Sequence, residues 1–370
     1  MSQPDFREIK ALKVAFYSSM KPPDDPVPSG DRTMARQLFK ALEMAGHEVG
    51  LISRMKCRVR SPEHLGEVRA DAGHEVSRIA ALWRAEGAPD VVVTYHVYYR
   101  SPDLIGAALA RQFGIPYVTV EASHAGKRST GEWADAQALS DAAIAQAALN
   151  ICFTARDREG IAKIASPDRI ALLAPFADLD GFDPPPVRTG DGPVELITVA
   201  MMLKGAKMES WRLLADAIRR LEPQGWRLLL VGDGPLRGEV EKLFSGVEAV
   251  RFAGQVDRQS VAGLLARSDI FVWPGWREAF GLAYLEAQAI GSPVVAMESG
   301  GVADVVRHGE TGLLSPQGDA VALAASLERL IGDADFRRQM GEQAMQFVRS
   351  ERSLPLASAA LDALIRRAVA

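Results

Sequence analysis

Two glutamates eight positions apart, Glu278 and Glu286, flank Phe280-Gly281-Leu282 within the segment Trp276–Ala287. Carboxylates accept hydrogen bonds from hydroxyl groups, and the backbone N–H groups of a helix start suit an anion. The run Ile270-Phe271-Val272-Trp273 just before reads as a buried parallel strand ended by Pro274-Gly275, while Leu282, Leu285, Ala289 and Ile290 have helical spacing. Glu278 is thus expected in a loop and Glu286 on the second turn of a helix. Both then face the crevice above the strand ends, where ligands of open α/β sheets bind. A carboxylate for hydroxyls beside a cradle for phosphate suits a sugar nucleotide. Taken alone, the pattern fits equally a solvated glutamate pair beside an ordinary helix.

Other strand-to-helix junctions carry similar groups. Ala200–Lys207 offers Lys204, Gly205 and Lys207, suited to a diphosphate by charge and backbone donors; a solvated loop is the plainer alternative. Val231-Gly232-Asp233-Gly234 lacks the full three-glycine dinucleotide spacing and reads first as a structural turn. Ser299-Gly300-Gly301 allows either close approach to a ligand or a tight turn. Pro28-Ser29-Gly30-Asp31 opens an amphipathic helix, with Ser29 or Asp31 as its cap or Asp31 as a ligand group. His96, Glu121 and His124 follow two further strands; together they make an acceptor site, singly they are ordinary polar partners of loops.

The elements that must position these groups alternate short apolar strands with amphipathic helices, the pattern of a parallel α/β architecture. Six strands are expected before residue 174 and five from Leu196 to Ala296, then helices from about Ala320, interrupted near Arg352–Pro355. The proline-rich stretch 183–193 reads as a linker. The expected organisation is an N-terminal, acceptor-side domain over 1–182 and a C-terminal, donor-binding domain over 194–352. Each is doubly wound and Rossmann-like, and the two face a central cleft. Of the 370 residues 48% are apolar and 24% charged; the net charge of -4 argues against a dedicated nucleic-acid binder. Cys57 and Cys152 are too far apart for a metal-ligand spacing, and a reducing, cytoplasmic compartment is the default. No signal peptide or membrane span is read.

In order, these segments resemble the family 4 glycosyltransferases of the GT-B fold. The residues that carry the likeness are Leu230–Leu236, Glu278 with Phe280-Gly281-Leu282 and Glu286-Ala287, Gly291–Ala296, Gly300-Gly301 and Gly309–Leu314. Ala41–Val49 and Phe113–Pro116 extend it into the first half. The resemblance implies a retaining, metal-independent hexosyl transfer from a UDP- or GDP-sugar co-substrate, with no other cofactor. It implies that Glu286 binds the ribose and Glu278 the sugar hydroxyls, while Lys207 and the amides of Phe280, Gly281 and Leu282 take the diphosphate. Lys204, Gly205 and Gly232 complete the donor side. Glu278, Lys207, His124 and Glu121 are the catalytic candidates, and Gly30, Asp31 and His96 the acceptor-side ones. The departing phosphate can take the acceptor proton, and the last helix, 353–370, is expected to return to the N-terminal domain.

Three departures stand out. Met201 occupies the position of the family's arginine, with Lys204 as the candidate replacement; the N-terminal glycine-rich loop is reduced to Gly30-Asp31; and either Glu121 or His124 fills the place of a histidine. An epimerase, a phosphorylase and a degenerate partner subunit are the alternatives. Asp178-Leu179-Asp180 has an Asp-x-Asp spacing, but its place near the linker marks a turn. The acceptor is open among a glycan, a lipid and a small molecule. The basic run Arg54–Arg60 suits weak peripheral contact with the inner face of a membrane, although a solvated loop is the commoner meaning.

Overall fold

A computed structural model describes residues 10–184, 192–222 and 224–370. The chain forms two compact units: the first runs to Ala174 and regains Pro355–Ala370, and the second is Pro175–Leu354. The division falls ahead of the boundary at 182 read from the sequence. The reason lies in Ala177, which forms a bridge with Ser353, and in Phe182, whose carbonyl accepts from Arg349. Most of the 183–193 linker lies outside the described residues.

The first unit is a six-stranded parallel sheet of β1 (Lys13–Ser18), β2 (Glu48–Leu51), β3 (Val91–Tyr95), β4 (Tyr117–Val120), β5 (Leu149–Cys152) and β6 (Ile170–Leu172). Its order is β2-β1-β3-β4-β5-β6. Strands β3, β4 and β5 are buried along their whole length, as parallel strands covered on both faces must be. The helices are α1 (Gly30–Met44), α2 (Leu65–Glu86), α3 (Gly106–Phe113), α4 (Ala134–Gln146) and α5 (Ala155–Ile161). Helix α1 buries Met34, Leu38, Ala41 and Leu42 at helical spacing, and the Ser29 side chain caps it by accepting from Arg32 N.

The second unit holds β7 (Val194–Val199), α6 (Ala206–Ile218), β8 (Trp226–Val231), α7 (Arg237–Leu243), β9 (Val250–Gly254), α8 (Arg258–Leu265) and β10 (Ile270–Val272). It continues with α9 (Leu282–Ala289), β11 (Val294–Met297), β12 (Gly312–Ser315), α10 (Ala320–Gly332) and α11 (Ala334–Glu351). The sheet order is β12-β11-β10-β7-β8-β9, all parallel. Strand β12 and the break between α10 and α11 were not expected. The break is set by Asp333, whose carboxylate caps α11 by accepting from Phe336 N.

The final helix, α12 (Leu354–Val369), belongs mostly to the first unit. Ser358 Oγ donates to Ala41 O at 2.6 Å, and Asp362 pairs with His47 at 2.9 Å and with Arg366 at 2.7 Å. Both cysteines are buried free thiols. Among the described residues no helix is long and apolar enough to cross a membrane.

Candidate functional site

In each sheet the connections reverse direction at one point: between β1 and β3 in the first unit, and between β7 and β10 in the second. At such points ligands of open α/β sheets bind. Lys207 and Glu278 of the second unit and Asp31, His96 and Glu121 of the first lie at these two places.

In the second unit, Lys207 lies in the first turn of α6, after β7, and Glu278 in the loop after β10. Lys207 Nζ donates to Glu278 Oε2 at 2.6 Å, and Trp273 Nε1 donates to the same oxygen at 3.3 Å. The ammonium also lies 5.5 Å from the Trp273 ring centroid, a cation–π contact that helps hold it in place. Backbone bonds pin the loop: Glu278 N donates to Gly275 O, and Arg277 N to Ser299 Oγ. Gly300 explains its own identity. A Cβ there would sit 1.9 Å from Glu278 O, and Gly301 N donates to that same oxygen. The glycine pair therefore serves the close approach of the Glu278 loop.

Helix α9 starts at Leu282, with Gly281 as its cap at φ 84° and no side chain bonding the first turn. Phe280 is buried just before it. Glu286, on the second turn, is 3.5 Å from Arg258, and the side chain of Glu286 is only 13% exposed. Burial pushes its carboxyl up to about 7; Arg258 pulls it down and Asp178 pushes it further up. Arg258 is held by stacking on Phe182 at 4.6 Å and by donating to Asp178 O. The Asp178–Asp180 segment is a turn, closed by Asp180 N donating to Asp178 Oδ1.

Lys204 and Gly205 line an open cavity of about 540 Å³ with Arg212, Glu239 and Arg277, and Gly205 also caps α6. Gly232 has a structural reason: at φ 137° its missing Cβ would lie 2.0 Å from Ala200 O, where the loops after β7 and β8 cross. Met201 O accepts from Trp211 Nε1 at 3.2 Å.

In the first unit, Asp31 on the first turn of α1 approaches His96, after β3, with Oδ1 to Nδ1 at 3.3 Å. Ser29, not Asp31, is the cap. Glu121, after β4, is 8% exposed, and its Oε2 is buried without a hydrogen-bond partner. Burial pushes Glu121 up to about 7, against the charge of His96 and the bond from Tyr95, with Asp31 and Asp157 adding to the rise. Burial alone lowers His96, but the bond to Asp31 and the charges of Glu121, Asp31 and Asp157 outweigh it and raise the imidazole to about 9.

His124 does not join this set. Its Nδ1 pairs with Asp141 at 2.8 Å, and Gln137 also donates to Asp141, so the ring is held by α4. Of the two candidates after β4, Glu121 is the one grouped with His96 and Asp31. Gly30 opens α1, and a Cβ there would meet nothing within 4 Å.

His96, Glu121 and Arg277 are the three non-glycine residues with positive φ among the described residues, at 66°, 54° and 53°. All three lie at or beside the two groups, as backbone strain at working sites does. Trp273, Arg258, Tyr95, Asp157 and Asp141 were not singled out in the sequence. Trp273 carried a signal in ending the β10 run; the others are joined to the site residues only by folding.

Two doubly wound parallel units of this kind make up the GT-B fold. Sucrose-phosphate synthase from Thermosynechococcus elongatus superposes with a TM-score of 0.75 at 20% identity, covering 96% of this chain and 98% of that one. HepE from Anabaena, in complex with UDP-glucose, gives 0.72 at 16% identity over 96% and 99%. Residues 194–333 match the family described as Glycosyl transferases group 1. Residues 194–333 are thus similar to a group 1 glycosyl transferase module, in agreement with the resemblance read from the sequence. The D-inositol 3-phosphate glycosyltransferase of Corynebacterium diphtheriae is 29% identical over 49% of this chain and 47% of its own. The N-acetyl-alpha-D-glucosaminyl L-malate synthase of Bacillus anthracis is 39% identical over 33% and 32%. The chain thus spans less than half the length of each of these two relatives.

Proposed function

We propose that this protein is a retaining glycosyltransferase that moves a hexosyl group from a UDP- or GDP-sugar to an acceptor, without a metal ion. The observation that carries the reading is the Lys207–Glu278 pair at the β7–β10 switch point, beside the helix that bears Glu286. Breaking the bond between a sugar and a diphosphate builds negative charge on the leaving group. Lys207 and the first amides of α9 stabilise that charge as it grows. When Lys207 turns to the diphosphate, Glu278 is released to accept hydrogen bonds from the sugar hydroxyls. Glu286, ionised, accepts from the two ribose hydroxyls.

The first unit supplies the acceptor side through Asp31, His96 and Glu121, with the leaving phosphate taking the acceptor proton. A reducing, cytoplasmic setting suits two buried free thiols.

Calorimetric titration with UDP, GDP and ADP in EDTA tests the donor side. The expected outcome is saturable binding of UDP or GDP that is lost in Glu286→Ala. Binding that requires added manganese, or that survives Glu286→Ala, removes the corresponding part of the reading.

A further inference from the structure

Beside the His96 group lies a run of aromatic rings that the donor chemistry does not use. The His96 and Tyr98 centroids are 5.0 Å apart, Tyr98 and Tyr99 5.6 Å, and Tyr99 and Trp133 5.1 Å. Two arginines lie on this run. The Arg100 guanidinium is 5.0 Å from the Trp133 centroid and 5.8 Å from that of Tyr99, and Arg128 is 5.3 Å from Tyr99. The charges of Arg58 and Arg100 both act on Tyr98.

Among the described residues none of Arg58, Arg100 and Arg128 has a carboxylate partner, and Arg128 Nε is buried with no hydrogen bond at all. Arginines elsewhere, such as Arg78, Arg237 and Arg307, are paired with glutamate or aspartate. The patch is also firmly built. Val59 N donates to Arg100 O at 2.8 Å, and Trp133 packs on Val59, Leu65 and Ala136. A guanidinium beside a ring and without a carboxylate partner keeps N–H donors for the two oxygens of a carboxylate or phosphate.

We propose that this patch is an anion subsite that binds the acidic group of a small acceptor, a sugar or polyol bearing a carboxylate or phosphate. The Tyr98 end presents a hydroxyl of that molecule to His96 and Glu121. The word acceptor rests on the transferase reading; the anion subsite does not. A neutral sugar leaves the guanidiniums unanswered, so acidic and neutral compounds must differ in affinity.

Ligand-observed NMR of the full chain with D-glucuronate, glucose 6-phosphate and glucose tests this. At least one acid is expected to bind, with glucose about tenfold weaker or worse. Arg100→Gln together with Arg128→Gln should weaken the acid by about tenfold or more. Arg100→Gln alone, at an exposed position, keeps the test sound if the double variant fails to fold, and Arg128→Lys should fall between by keeping the charge without the fork. Preference between the two acids separates carboxylate from phosphate. Equal binding of glucose, no binding of either acid, or acid binding unchanged by the arginine variants overturns the proposal. So does attachment to phosphatidylglycerol vesicles that neither acid competes away. UDP and GDP titrated into the same samples separate the two readings. Nucleotide binding without acid binding sinks the patch alone, and acid binding without nucleotide binding supports the subsite while sinking the transferase reading.

Discussion

At the β7–β10 switch point a lysine answers a glutamate directly and a tryptophan holds both, whereas at the β1–β3 switch point one imidazole sits among Asp31, Glu121 and Asp157. The second unit presents a pair that is neutral as it stands and must part for a ligand to use it. The first holds an excess of carboxyl groups, and its buried members move apart in pKa to coexist. On the proposed reading, the same topology gives one site that stabilises growing negative charge and one that handles protons. Strained backbone accompanies both, at Arg277 in one and at His96 and Glu121 in the other.

The largest effect should come from breaking the charge pair. Glu278→Ala and Lys207→Ala should each lower kcat about 10²–10³-fold, by comparison with removal of one oxyanion-stabilising donor, with thermal unfolding unchanged. Turnover at the wild-type level in either variant would take that residue out of the mechanism. Next in size is Gly300→Ala. Its φ of 63° alone should cost about 1–2 kcal/mol, and the Cβ must also push the Glu278 loop aside. A denaturant melt reads the cost, and wild-type stability would show that the loop yields freely.

The two units should also respond to pH in opposite senses. On the proposed reading Glu286 holds ribose as the carboxylate, so UDP affinity should rise about tenfold from about pH 6 to about pH 8, and Glu286→Gln should flatten the rise. His96 runs the other way. Its folded pKa of about 9 lies above its ordinary 6.5, so its stabilising contribution is complete below 6.5 and is lost as pH rises through 9. An NMR titration should place the His96 midpoint well above the ordinary value and bring it down in Asp31→Asn. An unshifted midpoint in the wild type would dissolve the contrast between the units. The smallest effect belongs to Gly30→Ala, within about 0.5 kcal/mol in stability because open space surrounds the new methyl. A large loss of activity there would show that a ligand approaches this backbone.

Much of this was legible in the chain. Eleven of the strands follow from short apolar runs, and Glu278, Lys207 and Glu286 follow from their places at strand-to-helix junctions. Strand β12 was missed because Gly312-Leu313-Leu314-Ser315 is too short and too mixed to carry a period. His124 and Glu121 could not be told apart, since three residues of spacing say nothing of which neighbour folds against each. Asp141 on α4 claims the histidine, and burial beside Tyr95 claims the glutamate. Gly232 reads first as part of a structural turn, and what requires glycine there is Ala200, remote in sequence. Arg258 reaches Glu286 from another helix, a meeting that no local pattern announces.

Helix α12 completes the first unit by resting Ser358 on Ala41 and Asp362 on His47. That unit is written in two instalments, with the whole of the second unit between them. As the chain leaves the ribosome, the N-terminal sheet emerges first yet waits for residues 355–370 before His47 gains Asp362. The second unit is finished sooner, so synthesis delivers the half that carries Lys207 and Glu278 before it closes the half that carries His96.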